Sequence, residues 1–458
     1  MLMHSSTDGI ESRISFWRRV REFAVPPSMI ENATARRRAG DWAGACAAAG
    51  FDVDVDLRAL ACRYGREFAA RVRADLRELA PDLLRWHMPR VAPDGLLRPG
   101  LTATLARYGP GDTGNPCGRA SPVHLVVRTA PAWADSGQRM SLALWDESQP
   151  EAGIGRHPHP RPNRRFRFDL HPHLWDARRS DELGIRSGTG IFDGEGMEPE
   201  FGEAARLGCA VDRWAAEVDL MLRADGHPDD PVLVRIGAKR RVIVEGGGDP
   251  ATLRIVRRYP RGVTPALSVL PHAATWVLPD LELLRSGALT ADRLHPLVAT
   301  ALVPDFDSAT TASVTNPTGP HLVQCRGEQH RIGLVDGILT ALDHSPDEIR
   351  REELLVALSG TPLPCLQVID RAHRRPDCLA GVRERLTHGD VAGALAIVEN
   401  LLGRQAKLRA GPLRDELEAA ARREIVYRRF RAGQTAPAPP VERPTRTQRS
   451  HPRQAMSR

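Results

Sequence analysis

Lysine is almost absent from this chain. Of 64 basic residues only Lys239 and Lys407 are lysine, and the other 62 are arginine. The imbalance is what a GC-rich bacterial coding sequence, with arginine codons in place of lysine codons, is expected to give. Arginine identity at any one position is therefore weak grounds for phosphate recognition, and only clustering carries weight. Long apolar runs are also missing. None approaches the roughly 20 residues needed to cross a bilayer, so no membrane partner is expected. The opening stretch MLMHSSTDGIESRISFW has acidic residues and no continuous apolar segment, which argues against a signal peptide and for a cytoplasmic setting. Cys46, Cys62, Cys117, Cys209, Cys325, Cys365 and Cys378 are scattered and form no Cys-x-x-Cys pair. That spacing argues against a zinc ribbon or an iron–sulfur centre and for free, mostly buried thiols.

What is present reads as a globular protein of 458 residues with net charge +7. The positive balance raises the expectation of nucleic acid or an acidic protein as partner. The fold class expected is α+β, in four stretches. Residues 1–92 read as a helical N-terminal region. Residues 93–275 read as a β-rich middle domain with long loops, 276–433 as a mainly helical C-terminal domain, and 434–458 as a disordered basic tail. Leu57, Leu60, Tyr64, Phe68, Val72, Leu76 and Leu79 recur at helical steps and predict one long helix. Ser28 with Glu31, and Ser345 with Glu348, have the spacing of capping boxes. The octapeptide pattern Gly-Asp-x-Ala-Gly-Ala-x-Ala occurs at Gly40 and again at Gly389. In each copy it predicts a helix ended by glycine and a new helix capped by aspartate.

The densest constellation of chemistry is HPHPRPNRRFRFDLHPHLWDARR, residues 157–179. Phe166, Phe168 and Leu170 alternate with charged residues, so a strand here would bury the aromatic face and project arginines outward. Arg161, Arg164, Arg165, Arg167, Arg178 and Arg179 are the candidate contacts to a polyanion. His157, His159, His171 and His173 are candidate metal ligands, provided the two His-Pro-His units converge. The plainer reading is a charged edge strand between proline-stiffened loops.

Other candidates are weaker. Cys325, His330 and Asp336 fall within twelve residues across an expected hairpin and could form a thiolate, its base and an orienting acid. A buried cysteine beside a surface histidine explains the same residues. Gly184, Gly188, Gly190, Gly194 and Gly196 could cradle phosphate, but the lysine of a phosphate-binding loop is missing and a surface loop is the simpler reading. Asp52, Asp54 and Asp56 precede a helix, where acids favour the positive end of its dipole. Functionally, the sequence points first to a binding or scaffold protein contacting nucleic acid or another polyanion. The alternatives are a metal- or thiol-dependent hydrolase and a subunit of a larger assembly, with tryptophan and phenylalanine of the terminal helices exposed as the contact patch. No cofactor is indicated.

Overall fold

In the computed structural model the described residues are 4–434 except 110–121, 135–136, 148–156, 189–198, 238–239, 247–252, 257–266, 304–305, 307–320, 326–327, 336–337, 346, 352–353, 355–363, 366, 368–378, 403–407 and 409. Most of the expected tail, part of the glycine-rich loop and Asp336 thus lie outside the described residues. The fold is α+β, with helices at both ends of the chain and small sheets between. The chain divides into two compact units. The first comprises the residues up to Thr310 together with those from Arg429 onward, and the second is Thr311–Arg428.

In the first unit, helices of the N-terminal region pack on a four-stranded sheet. Thr102–Tyr108, Val123–Thr129 and Met140–Asp146 are antiparallel neighbours, and Phe51–Asp54 adds to Met140–Asp146 in parallel. One core joins them: Trp17, Phe68, Val72, Leu76, Leu105, Val127, Leu283 and Val298 belong to a single buried cluster. Packing therefore runs across the boundaries at 92/93 and 275/276 that composition suggested. A second cluster, including Phe201, Trp214, Val218, Val232, Val244 and Leu270, lies under a smaller sheet. There Val232–Arg235 pairs antiparallel with Arg241–Glu245 and parallel with Ser268–Val269.

Local sequence explains most of these elements, and four expectations are corrected. The long helix expected over 57–79 is two helices, Leu57–Tyr64 and Arg66–Glu78, because Gly65 sits between them at φ +94°. That conformation breaks the ladder while leaving the apolar stripe on one side. The helix expected to be capped by Ser28 begins two residues earlier, with Pro26 as N-cap and Pro27 as its first residue, where a missing N–H costs nothing. The two Gly-Asp copies behave alike. Gly40 and Gly389 lie at φ +78° and +88°. Asp41 accepts from the Gly44 N–H at 2.8 Å, Asp390 from the Gly393 N–H at 2.9 Å, and each aspartate is held by an arginine five residues before it. Asp56 caps its helix through the N–H groups of Arg58 and Ala59, whereas Asp52 and Asp54 pair with Arg139 and Arg431. Trp17 is buried, so it belongs to the core and not to an exposed patch.

A buried ion pair ties the N-terminal helix, His4–Phe23, to the helix Pro279–Arg285. Arg21 meets Asp280 through two bonds of 2.8 and 2.6 Å, with side-chain exposures of 2% and 0%. The Trp86 indole N–H donates to the same carboxylate at 3.1 Å, Arg21 donates to the Trp86 carbonyl at 2.6 Å, and the guanidinium lies 4.4 Å from the Trp86 ring centre. Removing one member of such a pair strands a buried charge. Asp280→Ala is expected to cost about 3–5 kcal/mol in urea denaturation, and the double substitution Arg21→Met, Asp280→Leu to regain a large part of it. A loss under about 1 kcal/mol for Asp280→Ala would refute this account of the pair.

Candidate functional site

The 157–179 block runs along the sheet's Thr102–Tyr108 strand without becoming a strand itself. The Asn163 N–H donates to the Thr102 carbonyl at 2.9 Å, the Thr104 N–H donates to the Phe166 carbonyl at 3.2 Å, and Arg167 bridges Thr104. The chain then turns through two short 3₁₀ segments, Phe168–Leu170 and Pro172–Leu174. This corrects the expected strand. The prolines at 158, 160, 162 and 172 flank the segment, and the strand is cut short where the chain curls, the His171 N–H donating to the Phe168 carbonyl at 3.0 Å. The alternation survives, since Phe166, Phe168 and Leu170 are all buried. The outward projection of arginine holds only in part: Arg161 and Arg164 are exposed, while Arg165 and Arg167 are partly buried.

Arg167 is turned inward, paired with Asp169 and Asp225, each at 2.7 Å. Arg178 pairs with Asp176 at 2.7 Å, Arg179 with Glu182 at 2.6 Å and Arg161 with Glu147 at 3.3 Å, while Arg164 is exposed. Arg165 differs. Its guanidinium is half-buried, 5.6 Å from the Phe166 ring centre, and has no acid partner among the described residues. Burial together with the charges of Arg235 and Arg98 pulls it down to about 10.

The four histidines fall into two pairs with different partners. His157 donates through Nε2 to the Thr129 carbonyl at 3.0 Å and accepts at Nδ1 from the His159 N–H at 3.2 Å, which uses both ring nitrogens. His171 and His173 are buried beside each other, ring centres 5.6 Å apart. Arg186 donates to His171 Nδ1 at 3.1 Å, and burial beside that guanidinium holds His171 well below the ordinary imidazole value.

Around Phe166 the fold encloses a cavity of about 100 Å³. Arg21, Arg90, Arg98, Arg165, Arg167 and Arg186 line it together with His87, His173 and His272, and among the described residues no aspartate or glutamate does. The apolar wall comes from Trp17, Trp86, Phe166, Phe168, Leu174 and Trp276. The acids near this site are spent behind it. Asp280 holds Arg21, Glu217 holds Arg186 at 2.7 Å, and Asp169 and Asp225 hold Arg167. Arg90 donates to the Arg85 carbonyl at 2.8 Å. Arg98, 6.0 Å from the Phe166 ring centre, joins Arg165 in having no acid partner among the described residues. Burial and Arg235 lower it too.

The histidines here are neutral. Burial, with Arg165 and Arg98 adding to it, depresses His272 to about 3. Burial first, and then the neighbouring positive charges, depresses His87 and His173 well below the usual value. Four buried polar atoms of cavity-lining residues have no hydrogen-bond partner among the described residues: His87 Nε2, Arg90 Nε, His173 Nδ1 and Trp276 Nε1. Buried polar groups left so are rare, because each costs about 1–3 kcal/mol. Next to this cavity lies a larger groove of about 560 Å³, walled by Arg98, Gly100, Thr102 and the segment Pro158–Asn163. Arg98 lines both and marks their junction.

Of the catalytic candidates, the strand register sets Cys325 opposite Glu328 and His330 opposite Val323, so the two are not cross-strand partners. His330 instead stands beside His344 and Cys365. Cys46 and Cys209 are buried, and burial pushes both thiols up to about 12, far from the thiolate that a nucleophile needs. Sequence reading missed Arg90, Arg98, His87, His272 and Trp276. Each stands alone in sequence, and only the fold assembles them. Compared with family models, known proteins and solved structures, the chain matches none.

Burying neutral histidines has a pH signature. His87, His171, His173 and His272 bind protons more weakly when folded than when unfolded, where the value is about 6.5. Their contribution is complete above that value. It is lost as pH falls from 6.5 toward 3, by about 1.4 kcal/mol per pH unit for each group. Tm is expected to be level from pH 7 to 8 and to drop steeply between 6.5 and 5. An unchanged Tm across that lower interval would contradict the assignment of neutral buried rings.

Proposed function

We propose that the first unit is a receptor for a small anionic ligand. The carboxylate or phosphate group sits in the 100 Å³ cavity against Arg98 and Arg165, and the rest of the molecule extends into the groove along Pro158–Asn163. The observation that carries this reading is the charge census of the cavity wall, six arginines and no acid among the described residues. Two of those guanidiniums repel one another without compensation, and an oxyanion supplies the missing charge. The neutral imidazoles and the Trp276 N–H add donors, and the aromatic wall favours a ligand with an apolar or planar body. A small anion suits this geometry better than a nucleic acid backbone, because the unpaired guanidiniums face a cavity while Arg161, Arg178 and Arg179 already have acid neighbours.

Thermal denaturation with inorganic phosphate and a panel of aromatic and aliphatic carboxylates tests this. A ligand at a hundredfold excess over its Kd adds about 2.7 kcal/mol of stability and raises Tm by several degrees. Arg165→Met is expected to weaken binding about 10–100-fold. The unliganded variant should be as stable as the parent or more so, since repulsion is relieved. Loss of stability with unchanged ligand response would mark Arg165 as a structural residue. No response to any anion, alongside salt-sensitive binding to DNA or RNA, would favour the polyanion reading instead.

A further inference from the structure

The second unit holds a different constellation. His330 lies on the strand Glu328–Val335, His344 follows the next strand, Ile338–Ala341, and Cys365 sits on a helical turn against the core formed by Ile332, Ala341, Val382 and Leu386. The ladder brings the two histidines together. Ile332 pairs with Ala341, and the Leu342 N–H continues the ladder to the Arg331 carbonyl at 2.9 Å. His330 Nδ1 and His344 Nε2 are 2.9 Å apart, and together with the Cys365 sulfur their ligand atoms lie within 4.8 Å of one another.

We propose that His330, His344 and Cys365 bind a divalent transition-metal ion of the zinc class. Two imidazole nitrogens that share a tetrahedral zinc stand about 3.3 Å apart, given zinc–nitrogen bonds of about 2.0–2.1 Å. The observed separation needs only a small opening of the pair. Mixed nitrogen and sulfur donors select zinc or cobalt over magnesium or calcium, which require oxygen ligands. Three protein ligands leave the fourth tetrahedral position to water or an external ligand. Cys365 is fully buried and the His344 side chain is 8% exposed, so a bound ion would be screened from bulk water on these sides. A carboxylate also stands nearby, beyond hydrogen-bond distance. Glu348 Oε2 lies 4.0 Å from His344 Nδ1, the nitrogen turned away from His330, and that carboxylate is itself anchored by the Ser345 N–H at 2.9 Å. A carboxylate behind a ligating imidazole orients the ring and makes it a better donor. Binding displaces the thiol proton of Cys365 to solvent as the metal–sulfur bond forms.

The test uses the untagged full-length chain, purified without metal-chelating resin. Elemental analysis should find about one zinc per chain after dialysis against zinc. Cobalt(II) added to the metal-stripped protein should give the intense near-ultraviolet band of a thiolate-to-cobalt charge transfer and tetrahedral d–d bands. Cys365→Ser should abolish the charge-transfer band, and His330→Gln should weaken cobalt binding about a hundredfold or more. Because Cys365 is buried, circular dichroism of each variant accompanies the titration. The band in the parent protein stands whether or not a variant folds. Absence of that band in the parent, or stoichiometric zinc unaffected by His330→Gln in a folded variant, would overturn the assignment. The anion response of the first unit is read separately by Tm and is independent of either result.

Discussion

The Arg21–Asp280 pair is the constraint on which the first unit depends. It joins the N-terminal helix to a helix some 260 residues later in the chain, and Trp86 closes it with an indole N–H and a ring face. Two charges held at 2% and 0% exposure are tolerable only with every oxygen and N–H directed at a partner. The pair also decides the character of the cavity beside it. With Asp280 committed to Arg21 and Trp86, the wall carries the guanidinium and not the carboxylate.

The same logic repeats around that cavity. Glu217 is committed to Arg186, and Asp169 and Asp225 to Arg167, each acid standing behind the arginine it neutralises. Positive charge accumulates on the inner surface until Arg98 and Arg165 are left with only each other, Arg235 and the face of Phe166. Cation–π contact stabilises a guanidinium by about 0.5–2 kcal/mol, which offsets desolvation only in part. The neighbouring imidazoles respond by staying neutral. Such strongly perturbed groups cluster at functional sites, and the proposed anion would complete this network.

Much of the architecture was legible in the sequence because it rests on local rules. The hairpins at 232–245 and 321–335, the strands over 123–129 and 140–146, and both Gly-Asp helix junctions follow from alternation, turn chemistry and capping. The strand Phe51–Asp54 was hidden because its aspartates read equally well as helix-capping acids. The break at Gly65 was hidden because the apolar stripe continues past it on both sides. The site was legible only in part. Phe166 and Phe168 announced a buried face, and Arg165 was among the candidates, but with arginine at 62 of the 64 basic positions every arginine looked alike. What separates Arg165 from Arg167 is that Asp169, two residues on, and Asp225, from a distant helix, both reach Arg167, and residue 225 gives no hint of that in the sequence. Likewise His330 was visible as a reactive candidate, while its partners His344 and Cys365 depend on a strand register and a distant turn.

The central claim is that uncompensated positive charge in the cavity is a binding site. A crystal structure of the protein grown with selenate, with diffraction collected at the selenium edge, tests it directly. The account predicts an anomalous peak inside the cavity with tetrahedral oxygens in hydrogen-bond contact with Arg98 and Arg165. Arg98 and Arg165 turned out to solvent, with no anomalous peak in the cavity at saturating selenate, would contradict it.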